Sequence, residues 1–115
     1  MSQINHQQQE ELASLARHAQ LAREQSDWAK ACVLYQQALH IEEKRADLWH
    51  HLGLCLVGLG QNAKAILACQ RALSLQPALW QSHILIAQSQ AAQGEPAAAL
   101  TSYQQVLAQD VHNPS

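Results

Sequence analysis

The sequence predicts an all-α fold: an α-solenoid wound as a right-handed superhelix, with about six antiparallel helices in three helix-turn-helix units. Three observations carry that prediction. The first is a phrase that recurs without a gap every 34 residues. It reads Ala31-Cys32-Val33-Leu34-Tyr35-Gln36-Gln37-Ala38-Leu39, then Ala65-Ile66-Leu67-Ala68-Cys69-Gln70-Arg71-Ala72-Leu73, then Ala99-Leu100-Thr101-Ser102-Tyr103-Gln104-Gln105-Val106-Leu107. Self-similarity at such a period marks units that cannot bury their apolar faces alone and so stack on one another. The second is composition: 48% hydrophobic residues with no Phe, rich in Ala, Leu and Gln, suit helices better than strands. The third is punctuation, because turn-forming residues fall at Gln25-Ser26-Asp27, Gly60-Gln61-Asn62 and Gly94-Glu95-Pro96.

Each helix follows from local signals. The first is predicted near 5–25, and Asn5-x-x-Gln8 has the form of a capping box that starts it early. Asp27 is an N-cap for the second, near 28–43. The charged joint Lys44-Arg45 separates it from the third, 46–58, and the Gly60 turn leads into the fourth, 62–75. Gln76-Pro77 forms the next joint. The fifth runs 80–92, and the sixth, 96–109, opens on Pro96, which suits a first helical turn. Small residues at Ala31, Ala65 and Ala99, and at Ala38, Ala72 and Val106, let paired helices approach closely, where a larger side chain would cost roughly 1–3 kcal/mol of overpacking.

The middle unit carries the pattern Trp49-x-x-Leu52-Gly53-x-x-Leu56, then Ala65-x-x-x-Cys69, Ala72 and Pro77. It resembles the tetratricopeptide repeat, with Leu56 and Cys69 standing where that family usually has aromatics. The resemblance divides the chain into a polar, partly helical extension 1–11, units 12–45, 46–79 and 80–113, and a tail 114–115, all in one domain. The third unit has His83, Ile86, Ala87 and Gln90 at the first-helix signature places; the first has Leu15, His18 and Ala19 and ends without Pro.

Repeat solenoids bind on a concave surface lined by the first helix of each unit. The resemblance places there Ala16, Arg17, Gln20 and Arg23, then His50, His51, Leu54 and Val57, then Gln81, Ile84, Leu85 and Gln88. It implies a non-catalytic protein-protein interaction scaffold whose partner is a protein or peptide segment. The alternatives are an N-terminal assembly or targeting arm of a larger enzyme, such as a bacterial glycosyltransferase, or a self-association module. The carboxylate clamp by which some repeats of this family hold chaperone tails would fall on Ala16, Gln20, His51, Gln81 and Leu85, too few donors for two carboxylates. Trp80 has Leu12 and Ala46 at its matching places, so packing does not demand it, and it is a candidate contact anchor.

Other chemistries are disfavoured. A net charge of −2 with 14% charged residues provides no basic stripe for nucleic acid and no polybasic membrane patch. None of the seven His residues has another three or four positions away, so no metal or cofactor is expected. His51 and Cys55 lie four apart, but Cys55 falls on the side that packs on the partner helix. No phosphate loop or nucleophile-base arrangement appears, and no enzymatic activity is expected. Three Cys with no Cys-x-x-Cys pair read as reduced thiols of a cytoplasmic protein. Leu100, Tyr103, Val106 and Leu107 are expected to be incompletely covered on the last helix, a possible end-to-end interface for a homo-oligomer.

Overall fold

The structure is a computed structural model that describes the backbone of residues 4–112 and the side chains of 4–108; residues 1–3 and 113–115, including the expected tail, lie outside the described residues. Six helices follow in order: α1 (His6–Glu24), α2 (Trp28–Ile41), α3 (Ala46–Gly58), α4 (Asn62–Leu75), α5 (Trp80–Ala92) and α6 (Pro96–His112). Five of them begin and end within two residues of the sequence-based bounds, and α3, α4 and α5 match them. The helix α2 stops earlier than expected because Glu42 turns to extended backbone, φ −138°, and its carboxylate accepts the Lys44 N–H at 3.1 Å. The helix α6 runs on to His112, since neither Gly nor Pro interrupts the sequence between Pro96 and that residue.

The starts are capped as the sequence implies. Asn5 accepts the Gln8 N–H at 2.8 Å while Gln8 Oε1 accepts the Asn5 N–H at 3.1 Å, a complete capping box. Asp27 accepts the Lys30 N–H at 3.4 Å. The ends of α1, α3 and α5 close alike. The N–H of Ser26, Gly60 and Gly94 donates to the carbonyl of Arg23, Val57 and Ala91, and the next N–H reaches back to Ala22, Leu56 and Gln90, at 2.8–3.0 Å. This is the Schellman arrangement, and it needs a left-handed residue at its centre. Gly60 and Gly94 supply φ of 76° and 79°; Ser26 takes φ 59° in the same register.

Each helix packs on the next in sequence, and α3 also touches α5. That pattern of neighbour contacts is what a solenoid produces, and the principal extents are 45 × 30 × 25 Å. Ala31, Ala38, Ala65 and Ala72 are fully buried and Ala99 nearly so, which confirms that these positions are small for shape, while Val106 is half-buried. One core cluster joins Leu12, Ala19, Tyr35, Leu39, Leu48, Leu52, Cys55 and Leu56 with neighbours; a smaller one holds Cys69, Leu85 and Ile86. Gly53 lies where α3 and α4 approach closely, since a Cβ there would lie 2.7 Å from Cys69 Sγ and 3.3 Å from the Ala65 carbonyl. Burial pushes the Cys55 and Cys69 thiols up to about 12.

Candidate binding groove

Where α3 and α5 lie side by side, residues one helical turn apart face the same way. His50 and Leu54 of α3 meet Trp80, Gln81, Ile84, Leu85 and Gln88 of α5 around a depression of about 190 Å³. Leu85 is buried, so only its edge reaches the floor, whereas Gln81, Gln88 and Trp80 are exposed, the last at 45%. His50 Nδ1 lies 2.9 Å from Ser82 Oγ, a hydroxyl sealed from solvent, and this bond fixes the imidazole as one wall.

A ladder of side chains continues from that wall toward α1. The rings of His50 and His51 are 5.6 Å apart, and His51 stacks on Tyr35 at 5.7 Å with 29° between planes. Arg23 Nε then donates to Tyr35 Oη at 3.2 Å. Burial, followed by the Arg23 charge, lowers the His50 pKa and brings that of His51 down to about 4. Burial also pushes the Tyr35 phenol up, against the Arg23 hydrogen bond. At the start of α3, burial would raise the Asp47 carboxyl, but two Arg45 hydrogen bonds at 3.0 and 2.6 Å outweigh it and hold the carboxyl low.

Of the groove residues expected from sequence, His50, Leu54, Gln81, Leu85 and Gln88 converge on the depression, with Ile84. His51 and Arg23 are half-buried in the ladder beside it. Arg17 and Gln20 are exposed on α1 and do not line the depression; Gln20 donates to Glu24 at 3.3 Å. Ala16 and Val57 pack partly against the core. Trp80, expected as a contact anchor, forms part of the rim. Sequence reasoning missed the parts played by Ser82 and Tyr35: the first is one small polar residue among several, and the second occupies a repeat position that normally reads as core.

On α6, Leu100, Tyr103 and Leu107 are exposed at 59%, 40% and 64%. A second depression, about 380 Å³, lies at the turns and is lined by Gly60, Gln61, Asn62, Ala63, Lys64 and Gln93, with no apolar side chain larger than Ala. Among the described residues no three His, Cys, Asp or Glu side chains converge as metal ligands, and no helix is long and apolar enough to cross a membrane.

Stacked helix pairs closed by identical turns, with a side-chain-lined depression between first helices, define a helical-repeat protein. Family models of the tetratricopeptide repeat match residues 46–79 and 82–110, and the chain belongs to that family. A comparison with curated protein sequences returned no match. Among solved structures, the chain resembles MamA, 19% identical over 88% of this chain with a TM-score of 0.84, and it spans 59% of the MamA chain. It resembles the TPR2B domain of yeast Sti1 in complex with pHsp70, 22% identical over 89% of this chain and 82% of that one, TM-score 0.84. It also resembles the Yersinia enterocolitica type III secretion chaperone SycD in complex with a peptide of the translocator YopD, 17% identical over 90% and 79%, TM-score 0.85. At these identities the likeness is one of fold.

Proposed function

We propose that the chain is a non-catalytic scaffold that binds an extended segment of another protein along α1, α3 and α5. The observation that carries this reading is the depression between α3 and α5, where an apolar floor of Leu54, Ile84 and Leu85 is edged by the polar ends of Gln81 and Gln88. A few placed polar groups around an apolar concavity are what a binding site requires. The Sti1 and SycD structures, which hold peptides or chaperone segments on the same fold, support the class of partner.

The test is to select binders from a random peptide display library and map them on the isotope-labelled chain by NMR. Selected peptides should shift amides and side chains of α3 and α5, and Trp80→Ala should weaken them at least tenfold. Shifts confined to α2, α4 and α6 would overturn groove binding.

Self-association is a second reading, favoured by the exposure of Leu100, Tyr103 and Leu107 on one helix. Sedimentation should then show a dimer that Leu100→Glu with Leu107→Glu dissociates; a strict monomer for the parent chain removes the idea.

A further inference from the structure

The three cysteines are buried free thiols, and two of them meet. Cys32 lies on α2 and Cys55 on α3, in the core cluster where the first unit packs on the second. The Cys55 S–H donates to the Cys32 sulfur. No spacing rule pairs these residues, and their contact exists only in the folded chain.

The pair belongs to one joint. One repeat later, Ile66 stands in the place of Cys32 and Ser89 in that of Cys55. The buried Ser89 hydroxyl has no partner among the described residues, as an apolar Ile66 at the matching place implies. Cys69, fully buried on α4, is perturbed by burial and by no second thiol.

Two sulfurs in hydrogen-bond contact have only to close to a bond of about 2.05 Å, which small side-chain rotations supply. The thiolate is the nucleophile in thiol–disulfide exchange, so the first step falls to the thiol that ionises more readily and is better reached by oxidant. Both criteria select Cys32. It is 6% exposed against 0% for Cys55, and the Cys55 hydrogen bond supports its thiolate, whereas burial and the Cys32 neighbour push Cys55 up. Burial disfavours both thiolates, so the exchange waits on local opening of the α2–α3 joint and is slow.

We propose that Cys32 and Cys55 are a modification site, an intrachain disulfide that ties α2 to α3 when the chain meets a small aliphatic disulfide such as oxidised glutathione. The Cys32 thiolate attacks one sulfur of the oxidant, whose S–S bond breaks; the thiolate released takes up the proton that Cys32 lost. The Cys55 thiolate then attacks the Cys32 sulfur of the mixed disulfide. The Cys32–Cys55 bond forms, and the second thiolate leaves and takes up the Cys55 proton. Two protein thiols are oxidised, and one oxidant disulfide is reduced to two thiols. The bond fixes the first unit on the second, next to the stacking of His51 on Tyr35, and constrains the unfolded chain.

The test incubates the whole chain with oxidised glutathione at about pH 8.5, where more of each thiol is ionised. Free thiols are then blocked, and trypsin is applied without reduction. Each cysteine falls in its own tryptic peptide: Ala31–Lys44, Ala46–Lys64 and Ala65–Arg71. The first two should be found joined, at least tenfold more often than either is joined to the third, with Cys69 still free and the chain lighter by about 2 Da. The same reaction in denaturing urea should lose that preference. The urea midpoint of the linked chain should rise by roughly 1 M, and reduction should remove the rise. Cys69→Ala should link as the parent does. Links spread over all three pairs in the folded chain as in urea would overturn the inference. So would glutathione adducts or linked dimers as the main product, no link at all, or a midpoint below that of the reduced chain.

Discussion

Gly58 stands directly against the indole of Trp28: a Cβ built on it would lie 2.6 Å from the ring's Cγ, inside any permitted contact. The last residue of α3 is thus small because the first residue of α2 is large, and the pair sets how closely the second unit sits on the first. Gly58→Ala should destabilise the fold by about 1–2 kcal/mol, an overpacking cost that exceeds the gain in helix propensity from Ala. Denaturant unfolding measures it. In Trp28→Leu, where the smaller side chain leaves room for the methyl group, the same Gly58→Ala change should cost little, and a cost equal in both backgrounds would show that the ring is not its cause.

Ser26 holds φ 59°, the conformation that Gly60 and Gly94 hold in the other two turns. A Cβ at Gly60 or Gly94 would meet nothing within 4 Å, so the preference for Gly at these places is one of backbone and not of space. An L-residue in the left-handed region carries strain of roughly 1 kcal/mol that Gly avoids. Ser26→Gly should therefore raise stability by about 0.5–1 kcal/mol, and Gly60→Ala should lower it by a similar amount. A loss of stability in Ser26→Gly would mean that the Ser side chain contributes more than its backbone costs.

These turns show why so much of the fold was legible. A 34-residue spacing, an Asn-x-x-Gln capping box and Gly at two of three turns are local signals, and local geometry answers to them. The first unit departs from the repeat signature at Ser26 and in its first helix, yet the capping box and the Schellman turn still delimit α1. The groove was legible only in part. Position in the repeat places His50, Leu54, Gln81 and Leu85 on first helices, but whether they converge depends on how far α5 is rotated against α3. The His50–Ser82 bond and the stacking of His51 on Tyr35 join residues that no spacing rule pairs. Arg17 and Gln20 shared the register of the lining residues, yet they sit on α1, away from the depression where α3 meets α5.

Ser89 of α5 is almost fully buried, and its hydroxyl has no hydrogen-bond partner among the described residues. One repeat earlier the same place is filled by Cys55, which is fully buried as well. An unsatisfied hydroxyl in the interior keeps its desolvation cost, about 1–3 kcal/mol, with nothing to offset it. Ser89→Ala removes that cost and only one small atom of packing, so thermal and denaturant midpoints should rise by the equivalent of about 1 kcal/mol. Ser89→Cys, which copies the second unit, should do likewise. A fall in both would mean that the hydroxyl is satisfied in solution.

The histidines of the ladder make stability depend on pH in one direction. His51 has a folded-state pKa of about 4 against about 6.5 unfolded, because burial and then the Arg23 charge disfavour the imidazolium, and His50 and His83 are lowered in the same sense. A base whose pKa is depressed on folding binds fewer protons folded than unfolded. Its contribution is therefore complete above pH 6.5 and lost as the pH falls through the window down to about 4. The Asp47 carboxyl, also lowered, gives up its share only below its ordinary value of 3.8, so the histidines govern the upper part of the acid limb. After discounting for the part of the ring that meets water, His51 accounts for about 1–2 kcal/mol of the loss. Unfolding free energy should be level from pH 7 to 8 and fall between 6.5 and 4, with His51→Gln flattening that limb. A limb unchanged by His51→Gln would show that the ring stacked on Tyr35 titrates no differently in the folded chain than in the unfolded one.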